Sequence, residues 1–576
     1  MTWKFSLLYS YYLFFRKYIP LKPQSAYFES HASSDLAGNL YRIAEELLSK
    51  KYGNFTIYIS IIGSKLPNNI RLLKKNHPEA NIILVQRGSI KHYYTLATSK
   101  YLFTDVSIIT PYIKREGQII TQTWHGTPLK KLGFDFISDV TWTTDQKRAF
   151  SIADYCLFPN CFTMERLVES YRLKNTMNGT ILLSGYPRNS VFYDNNIASK
   201  MRQLLQIENQ KIYVYMPTWR GNLRTRSSIE QQSNFYHKLL TQIDSLLTDN
   251  QILYAKLHRL DNADIDYSLF KHIREFPNEF ECYEFLTVAD CLITDYSSVM
   301  FDFLNTRKKI ILFTYDKHQY LSKQGTYFDI DKLPFPQVQT INELIIQLNT
   351  PKGYDDSSVL EYFCSYDSLD ASEKLCCHII SNKKRCQEIS PFCNKHTNTL
   401  YYLENFRPKW ITTNFIYFLD TLKPDQENYF ISFLSEDLKT NPEYLQCVSK
   451  EFNLIGIDSY NGSSYYTTFL EKIIYALFNR NINHPFIIKK LEQLFQREFD
   501  RQYFNLKFDK LVRFGGTDID SLRLFMFSNV VTKVLIEYDE IKEHPNSDFQ
   551  RLLKVMEQQS RVIYLDKNSV TDNFAI

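Results

Sequence analysis

Short apolar runs, each breaking off into a polar cluster, leave this chain few ways to fold. Residues 56–62 (TIYISII), 81–85 (NIILV), 101–105 (YLFTD) and 119–123 (IITQT) recur at regular spacing, with helical patterns between them. Runs this short, alternating with helices, read as buried strands of βαβ units and hence as a parallel sheet. The pattern restarts at 211–217 and continues through 252–258, 290–295 and 309–313. A third series follows at 428–434, 452–457, 510–514, 534–538 and 562–565. The expected fold class is α/β. A pair of Rossmann-type lobes spans 26–200 and 201–382, followed by a linker over 383–404 and a third, smaller α/β unit over 405–576. Ligands of open parallel sheets bind beyond the carboxyl ends of the strands, which directs attention to the clusters there.

Composition closes several other routes. Lys plus Arg exceeds Asp plus Glu by only 5 over the whole chain, too little to argue for nucleic acid. Ten cysteines in 576 residues make no disulfide framework, which fits a reducing, cytoplasmic setting. Cys376, Cys377, His378, Cys386, Cys393 and His396 lack the spacing of a paired zinc knuckle and read as structural. Asp-Ile-Asp triplets at 264–266, 329–331 and 518–520 arise readily by chance, so no metal site is assigned. No run of 18 apolar residues occurs. Residues 3–18 (WKFSLLYSYYLFFRKY) form an aromatic-rich helix with basic residues at its end. Within 1–25 it is read either as a helix lying on a membrane surface or as one packed on its own domain.

Glycine is scarce, 16 of 576 residues, so a glycine in a turn beside polar residues is informative. The first such cluster is 123–135 (TWHGTPLKKLGFD). Gly126 permits close approach of backbone to a ligand, with Trp124, Thr127 and Pro128 around it. Lys130 and Lys131 suit phosphate oxygens. His125 carries the pKa range of a general base. In 184–189 (SGYPRN), Gly185 and Pro187 make a turn from which Arg188 can grip a phosphate bidentately. In 216–222 (MPTWRGN), Thr218 and Trp219 could meet a base or ribose, and Arg220 a phosphate. Strand alternation puts Lys256 and His258 on one face, a cationic pair suited to a diphosphate. In 287–303 (TVADCLITDYSSVMFDF), residues 295–298 can cap a helix starting near Val299. Ser297 and Ser298 would take phosphate there, and Asp302 a ribose or glycerol hydroxyl.

Taken in order, these clusters resemble the CDP-glycerol glycerophosphotransferases, the family of teichoic-acid polymerases and primases and of related capsule polymerases. FES at 28–30 and DASEK at 370–374 extend the likeness across about 26–382. The resemblance implies a two-lobed GT-B fold and attack of an acceptor hydroxyl on the β-phosphorus of CDP-glycerol or CDP-ribitol, releasing CMP. It makes His125 the base and His258 a second essential histidine near the phosphates. Arg188, Thr218, Lys256, Ser297, Ser298 and Asp302 would bind the CDP-polyol. The family pattern has proline after the second histidine, where this chain has Arg259.

No cofactor beyond the donor is expected. The expected partners are a CDP-polyol, a lipid-linked or polymeric glycan acceptor and the inner face of the cell membrane, with no nucleic acid. Residues 508–528 and 533–541 resemble the first lobe of a GT-B glycosyltransferase. Without a second lobe after it, this unit is expected to bind acceptor, partner or membrane, not to catalyse. Two rival functions fit the same fold: a nucleotide-sugar glycosyltransferase and a non-catalytic polymer-binding scaffold. The presence of His125, Lys256, His258 and Ser297 together argues against the scaffold.

Overall fold

Each of the three strand series closes into its own sheet in the computed structural model. It describes residues 3–565 except 110–111, 137–139, 219–225, 258–264, 404–408, 424–425, 436–437, 439–443, 446–447, 449, 458–468, 480–483, 517 and 539–546. The first sheet contains β1 (Lys22–Glu29), β2 (Thr56–Ile61), β3 (Asn81–Gln86), β4 (Ser99–Thr104), β5 (Ile119–Gln122), β6 (Tyr155–Phe158) and β7 (Thr180–Leu183). The second contains β8 (Lys211–Tyr215), β9 (Gln251–Ala255), β10 (Ile273–Glu275), β11 (Cys291–Thr294), β12 (Lys309–Phe313) and β13 (Gln337–Val338). β14 (Gln387–Ile389) returns to the edge of the first sheet. β15 (Asn398–Leu403), β16 (Asn428–Leu434), β17 (Asn453–Ile457), β18 (Lys510–Phe514), β19 (Thr532–Tyr538) and β20 (Arg561–Leu565) form the third.

The spatial orders are β14-β7-β6-β5-β4-β1-β2-β3, β10-β9-β8-β11-β12-β13 and β17-β16-β15-β18-β19-β20. Numbered within its own sheet, the second and third read 3-2-1-4-5-6, the doubly wound Rossmann order, and the first extends the same order by β7 and β14. Each therefore reverses its winding between its first and fourth strands, where a ligand crevice opens. Register makes this concrete in the second sheet. Cys291 to Ile293 of β11 pair with Tyr213 to Tyr215 of β8, so the segments after both strands leave side by side. The first two sheets make the pair of Rossmann lobes of a GT-B fold.

Both faces of the first sheet are covered, as its seven parallel strands require. Ala26, Phe28, Ile57 and Ile59 join one core, while the intervening Tyr27 and Tyr58 join the other. That second core is continuous with the third sheet through Leu400, Tyr402, Phe430 and Leu511. Helix Val140–Ile152 lies against β17 at Gly456, where an added Cβ would stand 2.2 Å from Thr144 Cγ2.

Helix Trp3–Tyr18 packs on helix Ile90–Thr98 and buries Tyr9, Tyr12 and Leu13. The Tyr12 hydroxyl donates to the Ile113 carbonyl at 3.0 Å, and Arg16 donates to the Lys114 carbonyl at 3.1 Å. Its opposite face leaves Leu7, Tyr11, Phe14 and Tyr18 exposed. The helix is thus packed on its own domain and still presents an aromatic stripe. No helix among the described residues is long and apolar enough to cross a membrane.

Two expected boundaries differ from the structure. Helix Ala371–Ile380, expected in the second lobe, packs on helix Gly38–Leu48 of the first. There Leu375, Cys376, Ile379 and Cys386 enter the first lobe's core. The stretch 383–404, expected as a linker, holds β14 and β15, and β15 is an interior strand of the third sheet. His378 is structural, with Nδ1 accepting from the Arg385 and Cys386 N–H groups and Nε2 lying 3.1 Å from the Glu388 carboxylate.

Candidate active site

The loops at the carboxyl ends of the first two sheets enclose a cleft of about 590 Å³. From the segment after β5 come Trp124, His125, Gly126, Thr127, Pro128 and Lys130. Across from them stand Thr218 after β8, Lys256 after β9, and Tyr296, Ser297 and Ser298 after β11. Ten of the residues expected from the sequence thus line one cleft. Trp219, Arg220 and His258 lie outside the described residues.

His125 is set by strain and by Asp105. The preceding Trp124 sits at φ +52°, a left-handed conformation that costs a bulky residue about 1–3 kcal/mol. Its N–H donates to Gln122 Oε1 at 2.9 Å and its indole N–H to the Gly126 carbonyl at 2.8 Å. The indole then lies against the imidazole, centroids 4.1 Å apart. His125 Nδ1 is 3.0 Å from the Asp105 backbone carbonyl. A carbonyl only accepts, so Nδ1 carries the hydrogen and Nε2 keeps its lone pair. Burial holds the His125 pKa below the ordinary imidazole value; the charge and carbonyl of Asp105 oppose that shift without cancelling it. The imidazole is therefore neutral near pH 7, with a basic nitrogen available.

Asp105 follows β4, at the first sheet's winding reversal. Its carboxylate accepts from the Ser30 hydroxyl at 2.7 Å and the His31 N–H at 3.0 Å, both just after β1. The second lobe is tied in the same manner. Asp295 accepts from the Thr218 N–H at 2.8 Å, joining the ends of β8 and β11. Asp295 thus ties Thr218 and also accepts from the Tyr296 N–H. The helix expected after it, Val299–Phe303, is a single short turn, and Ser298 makes no side-chain capping bond. Gly126 and Ser298 bring the lobes together, since a Cβ on Gly126 would stand 2.7 Å from Ser298 Oγ. Both lysines lie over aromatic rings, which fixes where their charges stand. Lys130 Nζ is 5.5 Å from the Tyr320 centroid and Lys256 Nζ is 4.7 Å from that of Phe276. Tyr320 in turn stacks on Tyr296 at 3.9 Å.

Arg188 and Asp302 correct the expectation drawn from sequence. Neither lines the cleft. Both are buried and satisfy each other, with Arg188 Nε and Nη2 3.1 and 2.9 Å from the two carboxylate oxygens. Burial opposes the guanidinium charge, but Asp302 outweighs it and raises the Arg188 pKa. The remaining nitrogen, Nη1, donates to the His125 carbonyl at 2.8 Å. The guanidinium is also flanked by Tyr186 and Tyr283, at 4.5 and 4.9 Å. Arg188 therefore ties the second lobe's Asp302 to the backbone of His125 in the first. Beyond Pro128, a short ribbon adds a second joint. Lys131 N–H donates to the Gly325 carbonyl at 3.2 Å and Tyr327 N–H to the Leu129 carbonyl at 2.9 Å.

The family model for CDP-glycerol:poly(glycerophosphate) glycerophosphotransferases matches residues 11–381. This chain belongs to that family. It is 30% identical over 318 residues to the teichoic acid poly(glycerol phosphate) polymerase of Bacillus spizizenii, covering 51% of this chain and 78% of the relative. It is 29% identical to the teichoic acid glycerol-phosphate primase of Bacillus subtilis, covering 64% of this chain and 97% of the relative. Against the larger poly(glycerol phosphate) polymerase of Bacillus subtilis, the chain spans about half of the relative's length, 48%. The solved structure of the wall teichoic acid polymerase TagF superposes with a TM-score of 0.54 at 23% identity, covering 65% of this chain and 93% of that one. The family match ends at residue 381, just before β14, β15 and the third sheet.

Sequence reasoning gave no site role to Asp105 or Tyr320 and took Asp295 and Tyr296 only as part of a helix cap. Asp105 and Asp295 each end a strand run beside a reversal of winding, a signal that was present in the sequence. The Tyr296–Tyr320 stack had none.

Proposed function

We propose that this chain transfers a polyol phosphate from a CDP-polyol to the terminal hydroxyl of a growing surface polymer. The observation that carries it is the meeting of a neutral His125, its Nε2 unprotonated, with Lys130, Lys256, Ser297 and Ser298 in one cleft. The acceptor oxygen attacks the β-phosphorus, the bond from that phosphorus to the CMP oxygen breaks, and the hydroxyl proton passes to His125 Nε2. Lys130 and Lys256 neutralise the phosphate oxygens, and the serine hydroxyls hydrogen-bond them. Such a reaction needs positioning and charge neutralisation more than covalent help from the protein. The family relation supports this reading, since the similar proteins are named as glycerol-phosphate polymerase and primase. The deciding experiment is CMP release from CDP-glycerol and from CDP-ribitol with a membrane fraction as acceptor. Release from either donor supports the transfer and names the polyol. Release of a nucleoside diphosphate from a nucleotide sugar instead would move the assignment to a glycosyltransferase.

The state of His125 sets the pH dependence. A base must be deprotonated to act, so kcat/KM rises with pH through the His125 pKa and is level above it. Burial holds that pKa below the ordinary imidazole value of 6.5, so the acidic limb falls below 6.5. Asp105→Asn removes a charge that raises the pKa and moves the limb further towards acid. A pH–rate profile of both proteins measures this, and a limb above 6.5 would contradict it.

The exposed stripe of helix Trp3–Tyr18 supports peripheral attachment to a membrane surface. Leu7, Tyr11, Phe14 and Tyr18 follow the i, i+4, i+7, i+11 spacing of one helix face, beside Lys17. Phe14→Glu with Tyr18→Glu lowers co-sedimentation with anionic vesicles by about tenfold, because two aromatic anchors become charges. Unchanged co-sedimentation would remove this attachment.

A further inference from the structure

A second cavity, of about 900 Å³, lies between the first lobe and the third sheet's unit. The ribbon formed by residues 129–131 and 325–327 contributes to the walls of both this cavity and the catalytic cleft. Along that ribbon Leu129 and Lys130 line the cleft, and Lys131 lines the cavity. Across the cavity, Lys450 comes from the third unit and Arg166 and Lys174 from the first lobe. Arg166 pairs with Glu169 at 3.0 Å and Lys450 with Asp135 at 3.4 Å. Lys131 and Lys174 form no ion pair with a described residue. Five cations of the lining, Arg172 among them, stand with four carboxylates, including Glu427, and with amides such as that of Asn175. Cations suit phosphodiester groups, and amides and carboxylates suit hydroxyls.

We propose that this cavity is the acceptor subsite, holding the phosphodiester-linked polyol units behind the growing end while the terminal hydroxyl reaches His125 past the ribbon. The inference rests on the transferase reading for its direction and adds to it a role for the third unit, which lies beyond the family match. A chain that is anionic and hydroxyl-bearing at every repeat is the ligand whose chemistry such a lining meets. A donor molecule needs only the smaller cleft.

The test uses the full chain with Lys174→Glu and, separately, Lys450→Glu, both exposed side chains on opposite walls. Binding of short fluorescent oligo(glycerol phosphate) and oligo(ribitol phosphate) is measured directly, and the KM for the same oligomers is measured in turnover. Each variant is expected to weaken binding and raise the acceptor KM by about tenfold, the worth of one charge-assisted contact. The KM for the CDP-polyol and the kcat at saturating oligomer should stay as in the wild type. Wild-type affinity in both variants, or a wild type that binds neither oligomer, overturns the subsite. A wild type that binds an oligomer in a Lys174- and Lys450-dependent way but releases CMP from neither donor keeps the subsite and removes the transferase reading.

Discussion

His125→Ala is expected to lower kcat for CMP release by about 10²- to 10⁴-fold, the usual contribution of a positioned base. Three features put the loss in the chemical step. The imidazole is oriented by the Asp105 carbonyl at 3.0 Å, which leaves Nε2 as the basic atom in the cleft. Its pKa is lowered by burial, which favours the neutral, competent form at neutral pH. The donor's phosphates are assigned to lysines and serines on other segments, so donor affinity should change by less than about threefold. The fold should survive, because Trp124 stays anchored through its own two hydrogen bonds to Gln122 and Gly126. Turnover and donor binding, measured on one preparation, check both halves. A variant with wild-type kcat would remove His125 from the chemistry.

Arg188→Ala is expected to destabilise the two-lobed body by about 3–5 kcal/mol, because it strands a buried carboxylate. Asp302 is 3% exposed, and Arg188 makes three hydrogen bonds to its carboxylate. The same substitution frees the His125 carbonyl and empties the space between Tyr186 and Tyr283. Activity therefore falls as well, through misplacement of His125 and not through loss of a phosphate contact. Removing both charges together, as Arg188→Met with Asp302→Leu, should destabilise less than Arg188→Ala alone, since no unpaired charge remains. Thermal unfolding of the three proteins decides this. A phosphate-binding Arg188 would instead give wild-type stability and a raised donor KM.

Much of the cleft was legible because chemistry in a doubly wound sheet collects where strands end. The His-Gly-Thr-Pro turn, Thr218, Lys256 and the Ser297–Ser298 pair each follow a run of β-formers, and all line the cleft. Arg188 and Asp302 misled for a physical reason. A guanidinium after a Gly-Tyr-Pro turn and a carboxylate one helical turn beyond two serines look ready for a ligand. Nothing local reveals that residues 114 positions apart neutralise each other in the interior. β15 was missed because it follows a polar, proline-interrupted stretch, although the apolar run 400–403 (LYYL) carried a strand signal. The short β10 and β13 have too few residues to stand out from loops.

The antiparallel β14 has a consequence for the order in which the molecule can form. The second sheet uses only residues 211–338, so its strands are all present once that stretch has left the ribosome. The first sheet, although it begins at Lys22, waits for residues 371–389 to cover helix Gly38–Leu48 and to close the edge beside β7. The half of the protein made earliest is therefore completed after the half made next. Until then it carries an open sheet edge and an uncovered apolar face, the features that recruit chaperones or provoke aggregation. A truncation ending near residue 360 would leave that exposure permanent, whereas one ending at 396 would heal the edge and leave bare only the surface that receives the third sheet.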